Sequence, residues 1–421
     1  MSEADEVCVP LPRLDWQEHL PAYTKSYGIA TSGIFLFLNC GLKHQLALPT
    51  ELTKSSTCPP TSLLHHRRCP ISADTGCSPQ LLPWTQWLGE CTIETTEEIL
   101  DYFYEQGGNF IDTANNYQCG ESEMRLGEWM KRRGNRDEMV ISTKYTTAFV
   151  PREGDARIKI NLNGCGSKSL QASVAASLEK LQTHYIDLLY VHWWDYSTSI
   201  PELMQALNSL VVSGKVLYLG ISDAPAWIAS KANEYARNHG MCQFSVYQGQ
   251  WSAAHRDFER DIIPMCRAEG MALAPWGSLG GGKFRNAEQR NAQAGTVSQE
   301  YTEEETKVTA ALEAVARRKN ATPIGVAIAY VMHKAPYVFP VLSGRKVEHV
   351  KGNIDALSIE LSPVDIKEIE GAAPFDLGFP NNFLWGREVP TAQGNVKFAV
   401  LGGNYDHVED TKPIRPAKAA E

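Results

Sequence analysis

The stretch NFIDTANNYQCGESE, residues 109–123, contains the transition that indicates how this chain folds. It opens on an apolar pair, Phe110 and Ile111, and then stops at the carboxylate of Asp112. A polar segment follows, with Tyr117 five residues beyond that carboxylate. A short apolar run that ends on polar residues is typical of a buried β-strand leading into a functional loop. We therefore expect a core strand at 109–112 and chemically useful groups directly after it.

The same unit of apolar strand, polar loop and amphipathic helix recurs along the rest of the chain. Strands are predicted at 109–112, 139–144, 186–192, 215–222, 244–248, 271–276 and 337–344. Helices are predicted from 93 to the glycines at 107–108 and near 121–132, 168–182, 201–212, 225–238, 256–268, 303–319, 321–334 and 345–356. The strands are continuous apolar runs, which is typical of parallel strands covered on both faces. Alternating strands and helices of this kind favour an α/β fold, specifically a (β/α)8 TIM barrel.

A doubly wound open sheet is the competing architecture. It is disfavoured because no G-x-G-x-x-G sequence opens a helix after any predicted strand. A barrel needs an eighth strand, and only seven are predicted after residue 108. The eighth must come from the N-terminal part, where no helical or alternating pattern is visible. We expect it either to be built from residues such as 34–40 or to be absent.

Three regions follow from this pattern. Residues 1–85 are predicted to be an atypical, irregular N-terminal segment, residues 86–375 the barrel domain, and residues 376–421 an irregular C-terminal loop and tail. Pro, Ser, Thr, Cys and His cluster between 50 and 82, as in loops. Ten cysteines are present, but the spacing in CPPTSLLHHRRC (58–69) matches no zinc signature, so no metal site is expected.

Charge and the N-terminus narrow the class of protein. The net charge of the 421-residue chain is −9, and no basic stripe appears, which argues against a nucleic-acid partner. The acidic start, MSEADEV, lacks the layout of a signal peptide, and IFLFLNC at 34–40 is too short to span a bilayer. We expect a cytoplasmic protein with no membrane partner.

Polar or aromatic residues stand at the end of successive predicted strands. They are Asp112, Lys144, His192, Ser222 with Asp223, Gln248 and Trp276. In a (β/α)8 barrel the C-terminal ends of the strands converge on one mouth, so these residues are expected to meet in one pocket. Each one alone has a structural explanation, such as a turn, a solvated cation or a packed aromatic neighbour. Their repetition at successive strand ends favours a functional site.

Three of these groups, Asp112, Lys144 and His192, suit proton transfer together with Tyr117. A free phenol titrates near pH ~10, and an adjacent ammonium lowers its pKa by stabilising the phenolate. Lys144 could act on Tyr117 in this way, with Asp112 holding the lysine charged and oriented. His192 could either donate a hydrogen bond to a substrate oxygen or shuttle the proton. None of the four is a redox group, so hydride chemistry here requires a cofactor.

Several ordered motifs resemble the aldo-keto reductase family. IDTANNY, TKY, LLYVHWWD, LGIS and SGRKVEHVKGN carry the likeness, which covers roughly residues 90–380. Within the family, GGNFIDTANNYQ, GEWMKRRGNRD, GKVLYLGISDAPAW, FERDIIPMC and GMALAPW are similar to the fungal aryl-alcohol dehydrogenase and norsolorinic acid reductase group. The N-terminal region departs from the family, since only WTQWLGECT (84–92) resembles the end of its usual opening.

The resemblance implies a TIM barrel that uses NADPH to reduce a small-molecule aldehyde or ketone without a metal. It places the family's catalytic tetrad on Asp112, Tyr117, Lys144 and His192, with Tyr117 as the general acid in reduction and the base in oxidation. The nicotinamide contacts fall on Ser222, Asp223, Gln248 and the stacking ring of Trp276. Position 223 is commonly Asn in the family, and an ionised Asp there accepts hydrogen bonds but donates none.

Two further segments are implied to bind the rest of the cofactor. The Gly-rich loop 277–284 would approach the pyrophosphate through Ser278, Gly280, Gly282 and Lys283. The cluster at 343–353 would hold the adenosine 2′-phosphate and the adenine through Ser343, Arg345, Lys346, His349 and Asn353. Two cations at a helix start are unusual, because the macrodipole disfavours them, and this favours NADPH over NADH. The structural alternative is a solvated basic cap.

Aromatic residues after two strands favour a flat substrate. Trp193, Trp194 and Tyr145 follow or end the strands that carry His192 and Lys144. The similarity points to an aromatic or polyketide-derived carbonyl compound in fungal secondary metabolism; core packing is the alternative role for these rings. Two other functions stay open. One is a Schiff-base barrel enzyme that uses Lys144, and the other is a catalytically impaired, cofactor-binding regulatory protein. The oligomeric state is not determined by the sequence.

Overall fold

A single sheet runs through the described part of the chain. The computed structural model describes residues 35–37, 92–148, 159–285, 301–384, 399–403 and 411–416. The strands, in chain order, are β1 Phe35–Phe37, β2 Phe110–Asp112, β3 Val140–Tyr145, β4 Ile186–Val191, β5 Val216–Ser222, β6 Phe244–Gln250 and β7 Ala272–Trp276. Their order in the sheet is also their order in the sequence. From β2 to β7 every neighbouring pair is parallel, as the continuous apolar runs predict.

Helices alternate with these strands and cover the sheet. They are α1 Ile93–Glu105, α2 Glu121–Arg133, α3 Ser167–Lys180, α4 Ile200–Val212, α5 Ala226–Asn238, α6 Ile262–Glu269, α7 Glu303–Lys319, α8 Pro323–Lys334, α9 Val347–Asp355, α10 Pro363–Ala372 and the short α11 Asn381–Leu384. Several begin at a side-chain cap; the Thr92 hydroxyl, for example, accepts a hydrogen bond from the N–H of Thr95. The α/β alternation expected from the sequence is therefore present.

The register places the ends of neighbouring strands within a few residues of one another. Asp112 lies opposite Ser142, Lys144 opposite Tyr190, and Ser222 opposite Gln248. Hydrogen bonding continues past the strands: the N–H of His192 donates to the Tyr145 carbonyl at 3.0 Å, and that of Asp223 to the Gln248 carbonyl at 3.0 Å. Because the backbone just beyond each strand is still held by its neighbour, the polar residues there start from defined positions.

The expected strand at 337–344 is not a regular strand. The segment lies parallel to β7, with a single bridge between Leu273 and Val338. The N–H of Phe339 donates to Leu273 at 2.7 Å and that of Val341 donates to the carbonyl of Pro275 at 2.6 Å. Pro275 has no N–H with which to answer, so the ladder is interrupted beside it. The segment extends the sheet without forming a complete strand.

The N-terminal candidate for the first barrel strand has an unexpected direction. Phe35–Phe37 pairs with β2, but antiparallel, whereas a (β/α)8 barrel uses parallel neighbours. The predicted irregular segment and the Cys- and His-containing stretch at 58–69 lie outside the described residues, as do most of the N-terminal 91. Among the residues that are described, no helix combines the length and apolarity needed to cross a bilayer.

Candidate active site

A buried ion pair lies at the ends of β2 and β3. The ammonium of Lys144 is fully buried, pairs with the carboxylate of Asp112 and donates to the Thr113 carbonyl at 2.9 Å. The Ser142 hydroxyl also donates to Asp112. Burial raises the pKa of Asp112 and lowers the pKa of Lys144, and in each case the opposite charge of the partner counters part of the effect. The two groups depend on each other to stay ionised.

Tyr117 reaches this pair from the turn after β2. Its N–H donates to the Ala114 carbonyl at 3.2 Å, and the two following residues, Gln118 and Cys119, have φ of 53° and 55°. Such left-handed conformations are disfavoured for residues with a Cβ and are typical of turns that orient a functional group. The result is that the Lys144 ammonium lies 5.0 Å from the centre of the Tyr117 ring. The phenol therefore has a cation beside it.

His192 completes the group from the end of β4. Its ring centre is 5.8 Å from that of Tyr117, with the rings at 76°. Burial, and then the charge of Lys144, lower the pKa of His192 to about 3. The imidazole is therefore neutral near pH 7. Of the two roles predicted for it, hydrogen-bond donation suits this state, whereas delivery of a proton from an imidazolium does not.

The predicted nicotinamide contacts lie on β5, β6 and β7. Ser222 and Gln248 are buried, and the indole Nε1 of Trp276 donates to both Asp223 carboxylate oxygens at 3.1 and 3.3 Å. Asp223 has a φ of 42° and is exposed to solvent, with the Trp276 indole against its carboxylate. Partial desolvation raises the pKa of Asp223 to about 6.

The Gly-rich loop after β7 is a tight turn with engaged side chains. Gly280, Gly281 and Gly282 have φ of 60°, 64° and 83°, a conformation that glycine adopts without strain. The Ser278 hydroxyl donates to the Trp251 carbonyl at 3.1 Å, and the Lys283 ammonium pairs with Glu305 at 2.7 Å. The side chains of Ser278 and Lys283 thus hold the loop in place, and any approach to a phosphate here would be made by backbone.

A cluster of cations stands at the start of α9. Arg345 and Lys346 are exposed, and His349 Nδ1 accepts from the N–H of Arg345 at 3.2 Å. Burial and then Arg345 and Lys346 lower the pKa of His349, and Arg285 acts in the same direction. Arg285 was not predicted from the sequence. Its only sequence signal is a cation directly after the Gly-rich loop, a position that also suits a solvated residue.

Sequence similarity to known proteins identifies the family of this chain. The family model described as "Aldo/keto reductase family" matches residues 83–374. The chain belongs to the aldo/keto reductase family. It is 53% identical to norsolorinic acid reductase B of Dothistroma septosporum over 376 residues, covering 84% of this chain and 95% of that protein. Norsolorinic acid reductase A of Aspergillus parasiticus is 54% identical over 377 residues, covering 86% and 96%. An aryl-alcohol dehydrogenase of Pestalotiopsis microspora is 50% identical over 367 residues, covering 85% and 95%.

Family membership confirms the predicted fold and the general activity. The aldo/keto reductase fold is a (β/α)8 barrel, and β2 to β7 with their helices supply its parallel strands in the described residues. The protein is an oxidoreductase of this family, whose members generally use NAD(P)H. The resemblance to the fungal norsolorinic acid reductases and aryl-alcohol dehydrogenases is likewise confirmed.

The residues present fit a nicotinamide dinucleotide. Gln248 Nε2 and Asn353 Nδ2 are buried, and neither finds a hydrogen-bond acceptor within range in the described parts of the chain. The Gln248 amide lies near the Asp112 carboxylate and favours its ionised form, although the contact does not reach normal hydrogen-bond geometry. Buried amide donors without acceptors are costly, so a bound group with amide or ring acceptors would satisfy them. Among the residues that the structure describes, no three His, Cys, Asp or Glu side chains are grouped so that they could hold a metal ion.

The three aromatic residues predicted to contact a flat substrate differ in their exposure. Trp193 is half-buried, whereas Trp194 is only 7% exposed and packs edge-on against Tyr196. Tyr145 is fully buried, and its hydroxyl donates to the Cys165 carbonyl at 3.1 Å. As the last residue of β3, Tyr145 points into the core on the opposite side from Lys144, which gives no support to the predicted substrate contact.

Proposed function

We propose that this protein is an NADPH-dependent carbonyl reductase, also able to run as an alcohol dehydrogenase, that acts on an aromatic or polyketide-derived aldehyde or ketone. The observation that carries the proposal is the gathering of Asp112, Tyr117, Lys144 and His192 at the ends of β2, β3 and β4. The cofactor, when bound, supplies the hydride. The names of the relatives support an aromatic substrate and a role in fungal secondary metabolism.

In this proposal each of the four side chains has a distinct task. Tyr117 delivers its phenolic proton to the carbonyl oxygen during reduction and recovers it during oxidation. Lys144, 5.0 Å from the phenol ring, stabilises the phenolate left behind, and Asp112 keeps the lysine charged in its buried position. His192, neutral at physiological pH, orients the carbonyl oxygen by a hydrogen bond.

The cofactor contacts are assigned by the same reasoning. Ser222, Gln248 and Trp276 would hold and stack on the nicotinamide, while the Gly-rich loop would approach the pyrophosphate. Arg345, Lys346 and Arg285 form a cationic group that suits a 2′-phosphate, which supports NADPH over NADH. Asn353 has an unpaired buried amide that could reach the adenine.

The Schiff-base alternative is less well supported. A lysine nucleophile must lose its proton and be reachable by a carbonyl carbon. Burial does lower the pKa of Lys144, but its ammonium has no exposed surface and is paired with Asp112 and the Thr113 carbonyl. Borohydride treatment in the presence of carbonyl substrates should leave Lys144 unmodified, and a trapped adduct at Lys144 would favour this alternative.

The deciding experiment measures carbonyl-dependent NADPH oxidation over a panel of aromatic and aliphatic aldehydes and ketones, with NADH for comparison. Tyr117→Phe should reduce turnover by about 10²-fold or more, because the general acid is lost, while NADPH still binds. Tyr235→Phe, in the C-terminal half of α5 where Tyr235 stacks on His239, is a matched control expected to retain activity. Full turnover in Tyr117→Phe would refute the assignment and favour a cofactor-binding role without this chemistry.

A further inference from the structure

Three side chains, those of Trp193, Thr147 and His192, form a hydrogen-bonded series that ends at the imidazole ring. Trp193 Nε1 donates to Thr147 Oγ1 at 3.0 Å, and Thr147 Oγ1 lies 3.3 Å from His192 Nδ1. Thr147 itself is anchored, because its carbonyl accepts from Asn115 Nδ2 at 3.3 Å, and that nitrogen also donates to Ser173 at 3.2 Å. The hydroxyl is therefore held in one place between an indole and an imidazole.

The donors and acceptors in this series determine its direction. An indole N–H can only donate, so Thr147 Oγ1 is the acceptor from Trp193. The threonine hydroxyl then has one hydrogen of its own to place. Within the described residues, His192 Nδ1 is the acceptor in reach of that hydrogen. If Nδ1 carried a proton instead, the hydroxyl hydrogen of the half-buried Thr147 would have no protein acceptor among the described residues, which disfavours that tautomer.

We propose that Thr147, oriented by Trp193, fixes the tautomer of His192: Nδ1 accepts from the threonine, and Nε2 carries the hydrogen. Thr147 is then a positioning residue that acts on substrate through His192. The role in turnover rests on the proposed carbonyl reduction, because an Nε2–H is useful only if it faces an acceptor such as a carbonyl oxygen. The tautomer itself is a property of the free protein.

The surroundings of His192 support a neutral ring. Lys144 is the charged group that acts on it, and Tyr117 is the titratable group that contacts its face. A nearby cation disfavours imidazolium, so the ring must choose between two neutral tautomers. Without the threonine hydroxyl, the contacts among Trp193, position 147 and His192 would not favour either tautomer. A carbonyl oxygen that met a bare Nε2 lone pair would be repelled.

The first test reads the tautomer directly. The protein is labelled with ¹⁵N in its histidine rings, and the His192 signals are identified by their loss in His192→Gln. We expect the wild-type protein to show Nε2 protonated and Nδ1 unprotonated at neutral pH. Thr147→Val, which keeps the shape and removes the hydroxyl, should produce a mixture containing the Nδ1–H form. Nδ1–H in the wild type, or an unchanged spectrum in Thr147→Val, would overturn the proposal whether or not the protein turns over carbonyls.

The second test links the tautomer to catalysis. Thr147→Val should lower kcat/KM for a carbonyl substrate by about 10-fold, the scale of one hydrogen bond, while the dissociation constant for NADPH stays unchanged. Thr147→Ser, which restores a hydroxyl, should recover most of the loss. Thr306→Val on the exposed face of α7 is the matched control and should be silent. Equal losses in Thr147→Val and Thr147→Ser would show that packing, and not the hydroxyl, matters.

Trp193 is tested separately. Trp193→Phe keeps an aromatic ring but removes the indole donor, so the Thr147 hydroxyl becomes free to accept from Nδ1–H. We expect an increased fraction of the Nδ1–H tautomer in the ¹⁵N spectrum. A spectrum identical to that of the wild type would remove Trp193 from the proposal. If the wild-type protein shows the Nε2–H tautomer but reduces no carbonyl, the proposed function fails and the tautomer assignment stands.

Discussion

At the scale of single residues, the site is dominated by charges that are buried together. Lys144 is 0% and Asp112 1% exposed, so neither charge has water to stabilise it. In such a pair the loss of one partner is far more damaging than the loss of both, because the survivor is left uncompensated. The ion pair therefore holds both groups of the proposed proton-transfer site in their charged state and also makes the core sensitive to single substitutions.

Asp112→Asn is expected to lower the free energy of unfolding by about 3–5 kcal/mol, since it leaves the Lys144 ammonium unpaired in the core. The double variant Asp112→Asn/Lys144→Met should be less destabilised than Asp112→Asn alone. Chemical denaturation of the wild type, the single variants Asp112→Asn and Lys144→Met, and the double variant measures both effects. A double variant whose loss equals the sum of the single losses would show that the two groups are not energetically coupled.

Asp223 provides a prediction about pH. Its pKa of about 6 means that the carboxyl group is largely neutral at pH 5 and ionised at pH 8. If the nicotinamide lies over Trp276, the ionised group favours the positively charged oxidised ring. The affinity for NADP⁺ relative to NADPH should then rise with pH through about 6. Fluorescence titrations between pH 5 and 8 measure this ratio.

Asp223→Asn should remove the dependence, because the amide does not titrate. Asp257→Asn, at a carboxylate that is 76% exposed beside Arg260, should leave it as in the wild type. A ratio that still changes through pH 6 in Asp223→Asn would assign the titration to another group.

At the scale of elements, the close packing of β4 against β5 determines the position of a ring next to Lys144. A Cβ added at Gly220 in β5 would lie 2.5 Å from the Tyr190 ring of β4. That ring is fully buried, and the Lys144 ammonium lies 5.6 Å from its centre. The register between β5 and its other neighbour, β6, shifts between Leu219 and Gly220. The missing side chain at 220 thus gives room to the ring that borders Lys144.

Gly220→Ala should lower the free energy of unfolding by about 1–3 kcal/mol, because Tyr190 has to move in a packed core. We also expect reduced turnover, since the displaced ring borders Lys144. Gly371→Ala in α10 is the matched control: no neighbouring atom lies within 4 Å of the added methyl, and alanine in a helix stabilises by about 0.5–1 kcal/mol. Thermal and denaturant unfolding of both variants provides the measurement, and an unaffected Gly220→Ala would contradict the packing argument.

At the scale of the whole molecule, the site joins parts of the chain that are far apart in sequence. Its assigned residues run from Asp112 in β2 to Asn353 in α9. A cofactor that contacts residues near both of these positions would stabilise the folded arrangement of most of the barrel. Binding to the folded state alone stabilises a protein by about 2.7 kcal/mol when the ligand is at 100 times its dissociation constant.

We therefore expect the thermal midpoint to rise with NADPH concentration, and to rise less with NADH at the same concentrations. The double variant Arg345→Ala/Lys346→Ala should bring the two responses together, because the charges proposed to bind the 2′-phosphate are removed. Lys351 lies about one turn into α9, and Lys351→Ala tests whether the loss of any nearby cation has the same effect. Equal responses to NADPH and NADH in the wild-type protein would contradict the proposed preference for NADPH.

The predicted strands and helices agree with the structure almost throughout, because hydrophobic period and caps are local properties of the chain. The prediction is wrong where a distant residue decides. The strand at 337–344 is interrupted by Pro275, over 60 residues earlier. Lys283 looks available for a phosphate in the sequence, but Glu305 of α7 holds it.

The linear order of residues was enough to determine the family, the alternation of strands and helices, and which polar groups stand at strand ends. Folding in three dimensions decided what surrounds each of those groups: the burial that keeps His192 neutral, the indole beside Asp223, and the hydroxyl of Thr147 behind the imidazole. The physical reason is that periodicity reports which side of an element is covered, whereas a pKa or a tautomer depends on atoms brought near from elsewhere in the chain.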